Sequence, residues 1–272
     1  MTLQGKFKEL QKQKKAILAA NFYNFETLSG ILMAAEAVKL PLILQLTRST
    51  IEYMGLPVAI NFARTMLTLH KVEGWLHLDH GESYEFVARC LDAGFDSVMI
   101  DASEKSFAEN VKITSSVVKL AERYGASVEA ELGYVAKLGQ KADNTGFTDP
   151  QEAKCFVEET GVNALAIAIG TAHGFYKAEP KLDLDRLSQI RQLTDAALVL
   201  HGASGVPDNV LQEAVKRGIC KINLATETKN IFMQSLKANM VKSDEIDLRK
   251  IFPKATDEVM HLIANKLNVI SE

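Results

Sequence analysis

Short apolar runs recur along the chain, separated by longer segments in which apolar residues fall at helical spacing. The runs are four to six residues long and rich in strand-forming residues. They cover residues 16–20, 42–46, 75–79, 97–101, 127–132, 164–169, 197–200 and 220–224. The segments between them, such as 106–124 and 150–160, carry apolar residues three and four positions apart, which predicts amphipathic helices. Asp149 before Pro150 supplies a cap for the start of one of these helices.

Strands that alternate with helices predict an α/β fold with a parallel sheet. A (β/α)8 TIM barrel and a doubly wound sheet both fit the alternation, and the count of eight strands favours the barrel. A length of 272 residues is usual for one barrel, and no change of composition marks a linker, so we expect a single domain over residues 1–272. Its last part, from about residue 226 to 272, is expected to be a C-terminal helical segment.

Polar residues follow the predicted strands at or near the point where each strand ends. They are Asn24, Thr47, Arg48, Asp79, His80, Asp101, Glu129, Glu131, His173, His201 and residues 223–226. In a barrel the chemistry takes place at the carboxyl ends of the strands, where the loops meet. A doubly wound sheet gives no reason for every strand to end in this way, so the pattern also favours the barrel.

Three histidines at three strand ends suggest a metal site. His80, His173 and His201 offer neutral imidazole nitrogens, which are suitable zinc ligands, and three protein ligands leave a coordination position open for substrate. Any one of them alone is more often a hydrogen-bonded structural histidine, but three at one face of a barrel favour a metal. Asp79 lies beside His80 and has two readings: a proton carrier for a substrate hydroxyl, or a carboxylate that orients a metal-bound imidazole.

Two turns of small residues follow the seventh and eighth strands, where barrels commonly hold phosphate. Small residues let backbone N–H groups approach the phosphate oxygens, hydroxyls add donors, and a helix that starts after Ala225 adds a favourable dipole. The residues concerned are Gly202, Ala203 and Ser204 in the first turn and Asn223, Leu224, Ala225 and Thr226 in the second.

Composition and charge exclude several classes of protein. The formal net charge is −3 and charged residues make up 24% of the chain, which argues against nucleic-acid binding. The basic run at residues 6–15 carries Phe7 and Leu10 at helical spacing and is therefore interpreted as the solvated face of a first helix. No apolar run is long enough for a membrane span. Cys90, Cys155 and Cys220 lie in apolar patterns without a C-x-x-C pair, so we expect buried reduced thiols and a cytoplasmic protein.

At these residues the chain resembles the class II, zinc-dependent ketose-bisphosphate aldolases, the family of fructose- and tagatose-bisphosphate aldolases. The matching motifs occur in the family's order through most of the chain. They are L-H-L-D-H-G at 76–81, S-V-M-I-D-A-S at 97–103, V-E-A-E-L-G at 128–133, A-I-G-T-A-H-G at 168–174, L-V-L-H-G-A-S at 198–204 and K-I-N-L-A-T-E at 221–227. The G-T-A-H-G and N-L-A-T forms are similar to the tagatose-type branch.

The resemblance implies a cytoplasmic lyase that reversibly cleaves a ketose 1-phosphate or 1,6-bisphosphate to dihydroxyacetone phosphate and an aldehyde. It implies zinc on His80, His173 and His201, Asp79 as the proton carrier at the C4 hydroxyl, and a monovalent cation such as Na⁺ or K⁺. Asp101, Glu129 and Glu131 match positions that support the site or bind a secondary metal. The candidate substrate-binding residues are Asn24, Thr47, Arg48, Gly174, Gly202, Ala203, Ser204, Asn223, Leu224, Ala225 and Thr226. The partners implied are a sugar phosphate and further copies of the chain, in a homodimer or homotetramer.

The sequence departs from the family at three places. The loop at 134–147 contains no glutamate, although relatives carry there the base that exchanges a proton of dihydroxyacetone phosphate; Lys141 lies near that position and Asp143 is a candidate. The arginine that a fructose-type partner subunit offers to the distal phosphate is not evident in 247–260, where Lys254 is the nearest cation. Arg48 adds a positive charge at the barrel mouth, which is either a ligand for a distal phosphate or sulfonate or a surface residue without substrate contact.

Two other functions remain open on the sequence alone. A Schiff-base aldolase on the same fold would use Lys221 on the eighth strand as its nucleophile, although it would not need three histidines at strand ends. The altered loop at 134–147 keeps open a weakly active or non-catalytic subunit of a two-component aldolase.

Overall fold

Eight parallel strands form a closed barrel in the computed structural model, which describes residues 1–133, 135, 146–176, 179–241 and 244–271. Each strand pairs with its neighbours in chain order, and β8 closes the barrel on β1. The strands are β1 (Ile17–Asn21), β2 (Leu42–Thr47), β3 (Gly74–Gly81), β4 (Ser97–Ile100), β5 (Ser127–Leu132), β6 (Ala164–Ile167), β7 (Ala197–Leu200) and β8 (Ile219–Leu224). The predicted (β/α)8 TIM barrel and its single domain are confirmed.

Helices alternate with the strands, as the spacing of apolar residues predicts. They are α1 (Leu3–Gln13), α2 (Phe25–Val38), α3 (Arg48–Met54), α4 (Leu56–His70), α5 (Tyr84–Asp92), α6 (Phe107–Ala121), α7 (Pro150–Thr160), α8 (Leu184–Leu193), α9 (Asp208–Lys216), α10 (Thr226–Met240) and α11 (Leu248–Ser271). A short 3₁₀ helix, Glu122–Tyr124, completes the segment predicted as 106–124. Asp149 caps α7 as expected, because its side chain accepts hydrogen bonds from two backbone N–H groups of the first turn.

Helix α1 covers the amino-terminal end of the barrel. Its buried face, Leu3, Phe7 and Leu10, joins a cluster with apolar residues of the strands, including Trp75. The Trp75 indole N–H donates to the backbone carbonyl of Met1. Lys8 and Lys12 are exposed, as the amphipathic pattern predicts, whereas Lys6 is largely covered and pairs with Glu9. Among the described residues, α1 therefore covers this end of the barrel and leaves the carboxyl ends of the strands to a ligand.

Helix α11 packs against the outside of the barrel, mainly on α2, and α10 packs mainly on α11. Gly30 allows this close approach, since a Cβ there would meet the Thr256 carbonyl oxygen at 2.7 Å and Val259 at 2.9 Å. No helix in the part of the chain that the structure describes combines the length and apolar composition needed to cross a membrane.

Some predicted details were wrong. The run at 164–169 is a strand only to Ile167, because the backbone of Ala168 exchanges hydrogen bonds with Thr148 and the Ile169 carbonyl accepts from Asp183 N–H instead of pairing in the sheet. Cys155 is exposed, whereas Cys90 and Cys220 are buried. The core-facing side of α7 is formed by Ala153, Phe156 and Thr160, and position 155 falls outside that stripe.

Candidate functional site

A bulge at the end of β3 turns two neighbouring side chains toward one cavity. The register between β3 and β4 shifts between Leu78 and Gly81, and His80 has a left-handed backbone conformation with a φ of 51°. Successive side chains of a regular strand point to opposite faces, whereas a bulge re-aims the side chains around it. As a result Asp79 and His80 both line the cavity at the carboxyl end of the barrel. Such a φ is uncommon for histidine and is typical of functional sites.

Three imidazoles converge in this cavity. Ring nitrogens of His80, His173 and His201 lie within 4.8 Å of one another. The rings meet edge to face, with centroids 5.1 Å apart for His80 and His173, 4.9 Å for His80 and His201, and 5.7 Å for His173 and His201. Nitrogen donors at this separation can share one ion, and three imidazoles leave zinc an open position for substrate.

Carboxylates contact one ring nitrogen of His80 and one of His201. His80 Nδ1 lies 2.8 Å from Asp101 Oδ2, and Asp101 Oδ1 accepts hydrogen bonds from the backbone N–H and hydroxyl of Ser103. His201 Nε2 lies 2.8 Å from Glu129 Oε1. The other nitrogens, His80 Nε2 and His201 Nδ1, approach each other to 3.2 Å. A carboxylate on one ring nitrogen orients the imidazole and makes the other nitrogen a better metal ligand.

A buried chain of polar groups continues from Glu129 into the barrel. The Lys221 ammonium donates to Glu129 Oε2 at 2.7 Å and lies 3.3 Å from His77 Nε2, and the opposite ring nitrogen of His77 contacts Ser97 Oγ at 2.9 Å. Burial lowers the pKa of His77 to about 3, with the Lys221 charge adding to the effect. The Lys221 side chain is 0% exposed and lies beneath the cavity lining. Its pairing and burial argue against the Schiff-base alternative.

Asp79 is held by an amide and keeps one oxygen available. Asn21 Nδ2 donates to Asp79 Oδ2 at 2.9 Å, and Gln45 Nε2 donates to Asn21 Oδ1 at 2.9 Å. Asp79 Oδ1 is buried and has no hydrogen-bond partner among the described residues. Burial raises the pKa of Asp79, but the charge of His80 and the Asn21 hydrogen bond lower it more, so the pKa lies below its ordinary value. The carboxylate is therefore ionised at neutral pH and can accept a proton.

The carboxylates around the imidazoles favour positive charge there. Burial lowers the pKa of His80, but Asp79 and Asp101 outweigh burial and raise that pKa to about 9. Burial raises the pKa of Asp101, yet its hydrogen bond with His80 holds that pKa well below the ordinary range. Groups that stabilise a proton on an imidazole also stabilise a cation bound to it. The donor set and its electrostatics both fit a divalent metal.

A second group of potential ligands shares His80. Atoms of His80, Asp101 and Glu131 also lie within 4.8 Å of one another. Glu131 Oε1 accepts from the Val135 backbone N–H at 3.2 Å, while Oε2 is buried without a hydrogen-bond partner among the described residues. Burial raises the pKa of Glu131, and Asp101 adds to the rise. An unsatisfied buried oxygen of this kind is a natural contact for an ion or a substrate hydroxyl.

The two turns of small residues lie side by side at the cavity. The lining includes Gly174, Gly202, Ser204, Asn223, Ala225 and Thr226. Gly202 has a φ of 67°, and a Cβ there would lie 2.5 Å from the Ala172 carbonyl oxygen. Helix α10 starts after Ala225 without a side-chain cap, and the Glu227 backbone N–H donates to Ser204 Oγ. The backbone N–H groups of this helix start that do not donate to Ser204 are suitable donors for a phosphate.

Three of the predicted substrate-binding residues do not line the cavity with their side chains. Ala203 and Leu224 are each 1% exposed and pack in the hydrophobic core, because their side chains point away from the cavity. Asn24 is the N-cap of α2, and its side-chain oxygen accepts from the backbone N–H and hydroxyl of Thr27. Asn21, which the sequence analysis missed, contacts Asp79 in its place. Asn21 and Gln45 occupy paired positions on β1 and β2, so two polar residues within apolar runs were the available signal.

The cavity mouth near β2 is formed by α3, which starts at Arg48 where a loop was expected. Thr47 caps this helix. Arg48 Nε donates to Glu52 at 2.7 Å, an Arg48 terminal N–H donates to Glu82 at 2.9 Å, and the guanidinium lies 5.3 Å from the centre of the Phe86 ring. Arg48 therefore lines the cavity with its charge already paired. Lys141 and Asp143 lie outside the described residues.

Comparisons with known proteins agree with this geometry. The family model described as fructose-bisphosphate aldolase class-II matches residues 1–272. The YdjI aldolase from Escherichia coli K12 is 30% identical, with a TM-score of 0.87 over 99% of this chain and 96% of that chain. A Coccidioides immitis protein described as a fructose-1,6-biphosphate aldolase is 27% identical, with a TM-score of 0.89 over 98% of this chain and 94% of that one.

A more distant structure agrees in fold. The fructose-bisphosphate aldolase (Fba) from Campylobacter jejuni is 19% identical, with a TM-score of 0.84 over 98% of this chain and 93% of that chain. The family model covers the chain from end to end, and the barrel brings the histidines of the matching motifs together. The chain belongs to the class-II fructose-bisphosphate aldolase family.

Proposed function

We propose that the protein is a zinc-dependent aldolase that reversibly cleaves a ketose 1-phosphate or 1,6-bisphosphate to dihydroxyacetone phosphate and an aldehyde. The observation that carries this proposal is the convergence of His80, His173 and His201 beside Asp79, in a cavity of about 1260 Å³ that also includes the small-residue turns. The motifs G-T-A-H-G and N-L-A-T lead us to propose the tagatose-type branch of the family.

The three histidines would hold the metal, since their nitrogens lie close together and carboxylates orient two of the rings. A bound zinc ion supplies Lewis-acid polarisation of the substrate carbonyl. Asp101 and Glu129 keep His80 and His201 in position for this task. Asp101, Glu129 and Glu131 are candidate ligands for a secondary metal. Two of them, Asp101 and Glu131, have suitable spacing together with His80.

Asp79 would accept the proton of the C4 hydroxyl when the C3–C4 bond breaks, and return it in the condensation direction. Its Oδ1, which has no hydrogen bond among the described residues and lies 3.9 Å from His80 Nε2, is the atom available for this transfer, and the Asn21 amide fixes the other oxygen. The low pKa of Asp79 keeps it in the ionised form that a general base requires at neutral pH.

The phosphate on C1 would bind at the turns after β7 and β8. Ser204 and Thr226 offer hydroxyls, Gly202 and Gly174 permit close approach, and the start of α10 offers backbone N–H groups. This placement puts the phosphate beside His201, which follows β7, and so brings C2 and C3 of the substrate to the imidazoles.

We further propose a homodimer or homotetramer in the cytoplasm, acting on a sugar phosphate, with a monovalent cation such as Na⁺ or K⁺ as a second cofactor. These proposals rest on the family resemblance and on ordinary composition.

The test is an assay of the purified protein against ketose 1-phosphates and 1,6-bisphosphates of both C4 configurations, with zinc and with a strong chelator. Release of dihydroxyacetone phosphate that requires zinc supports the proposal. No cleavage of any substrate with zinc present contradicts it and favours a subunit that needs a catalytic companion, the alternative that the loop at 134–147 suggests.

A further inference from the structure

We propose that the substrate carries an uncharged, hydroxyl-bearing distal end, so that the enzyme prefers a ketose 1-phosphate to a 1,6-bisphosphate. This inference rests on the proposed function and narrows its substrate class. It follows from the charges at the cavity mouth beside Arg48.

The strand order, taken with the proposed function, indicates where the distal carbons would lie. In that proposal the C1 phosphate binds at the turns after β7 and β8, and Asp79 receives the C4 hydroxyl at the end of β3. Thr47 on β2 pairs in register with Asp79. The carbons beyond C4 therefore extend toward Thr47 and the first turns of α3, which line the same cavity.

The arginine at that place is already neutralised. Glu52 and Glu82 accept from two different nitrogens of Arg48 at 2.7 and 2.9 Å, and Phe86 lies against the guanidinium plane. A guanidinium binds a tetrahedral anion through its N–H donors, of which those directed at the two carboxylates are occupied. A distal phosphate or sulfonate would have to compete with both glutamates.

The other charges of the mouth do not favour an anion. Among the described residues that line this side of the cavity, Glu52, Glu82 and Glu104 face only Arg48 and Lys105 as cations. Lys229 on α10 also lines the cavity, on the side of β8 and β1, with its ammonium 5.3 Å from the Tyr23 ring centre and next to the C1 phosphate turns. A phosphate group adds a charge of about −1.5 to −2 at neutral pH, so its entry beside these glutamates is unfavourable.

Hydroxyl groups complete this part of the lining. Thr47 Oγ1 lies 3.0 Å from Ser49 Oγ and 3.2 Å from Thr50 Oγ1. Hydroxyls both donate and accept hydrogen bonds, and the paired Arg48 and glutamates provide fixed donors and acceptors around them. This mixture suits the hydroxyls of a neutral sugar chain.

The experiment compares kcat/KM of the zinc-loaded enzyme for a ketohexose 1-phosphate and for the matching 1,6-bisphosphate. We expect the wild type to prefer the monophosphate by about tenfold or more, the size of one charge interaction at a partly exposed rim. The double variant Glu52→Gln/Glu82→Gln should raise the bisphosphate-to-monophosphate ratio by at least about tenfold, because Arg48 is then unpaired. Adding Arg48→Ala should remove that rise.

Glu36→Gln is the matched control. It removes one carboxylate from a surface pair with His70 on the outer helices, outside the cavity lining, and should leave the ratio unchanged. Three results would overturn this inference and leave the aldolase proposal intact. The wild type could prefer the bisphosphate, or the bisphosphate-to-monophosphate ratio could fail to change in the double variant. The third is a selective loss of bisphosphate cleavage in the single variant Arg48→Ala. Cleavage of neither substrate would overturn the proposed function and this inference with it.

Discussion

Replacing Lys221 with methionine should weaken metal binding although Lys221 does not reach the cavity. The Lys221 ammonium and the Glu129 carboxylate are 2.7 Å apart and at most 1% exposed. Removing one partner of a buried ion pair destabilises a protein by about 3–5 kcal/mol, because the other charge remains buried and unpaired. A single domain has a stability of about 5–15 kcal/mol, so Lys221→Met should fold with a clearly lowered Tm.

The effect on the metal follows from Glu129. Burial raises the pKa of Glu129, and Lys221 is the main group that lowers it below its ordinary value. Without Lys221 that pKa rises and burial favours the protonated carboxyl, which is a poorer hydrogen-bond acceptor for His201 Nε2 than the carboxylate. Loss of the group that hydrogen-bonds to the second nitrogen of a metal-bound imidazole reduces metal affinity by about 10- to 100-fold.

The assay is a zinc titration against a competing chelator, combined with calorimetric unfolding. Lys266→Met is the control, since its 2.7 Å pair with Asp208 lies between α9 and α11, away from the cavity; it should lower stability slightly and leave zinc affinity unchanged. Glu129→Gln in the Lys221→Met background should recover part of the lost stability by removing the unpaired charge. Wild-type zinc affinity in Lys221→Met, or a double variant whose losses are simply the sum of the single ones, would refute this reasoning.

The remaining predictions concern the same cavity. Asp79→Ala should retain zinc and lose about 10²–10⁴-fold in turnover, as expected for a positioned proton-transfer group, and a parallel loss of zinc would give Asp79 a structural role instead. Borohydride with substrate should leave no covalent adduct on Lys221, which mass spectrometry can check; an adduct would restore the Schiff-base mechanism. The pKa of His80 is raised to about 9, so its stabilising contribution to the metal-free protein is complete below pH 6.5 and is lost as pH rises through about 9. Metal-free wild type should therefore lose on the order of 3 kcal/mol of stability over that range relative to His80→Gln, and parallel pH profiles would contradict this.

The sequence predicted the barrel because hydrophobic periodicity and polar strand ends are local features. Eight apolar runs that are each followed by polar residues are compatible with few folds, and the eight-stranded barrel is one of them. The histidines at three of these strand ends lie together in the structure. The helix start after Ala225 was predictable for the same reason, since it depends on neighbouring residues.

Other parts of the site depend on contacts that sequence spacing does not reveal. The left-handed conformation of His80 results from the pairing of β3 with β4, where the backbone carbonyl of Met99 would meet a Cβ at Gly81. The pairing of Lys221 with Glu129 joins residues 92 positions apart, and Arg48 with Glu82 joins residues 34 apart. Asn24, the asparagine predicted for the site, caps α2 after the end of β1, whereas Asn21 within β1 donates to Asp79.

The central claim is that three histidines bind the metal on which carbon–carbon bond cleavage depends. The most direct measurement strips the protein with a chelator and titrates zinc back while dihydroxyacetone phosphate release is followed with a cleavable ketose phosphate. We predict no turnover without metal, recovery to a plateau at about one zinc per chain, and no recovery at the same zinc concentration in His80→Gln, His173→Gln or His201→Gln. Full turnover in the chelator, or a His173→Gln variant that binds zinc and cleaves substrate like the wild type, would contradict it.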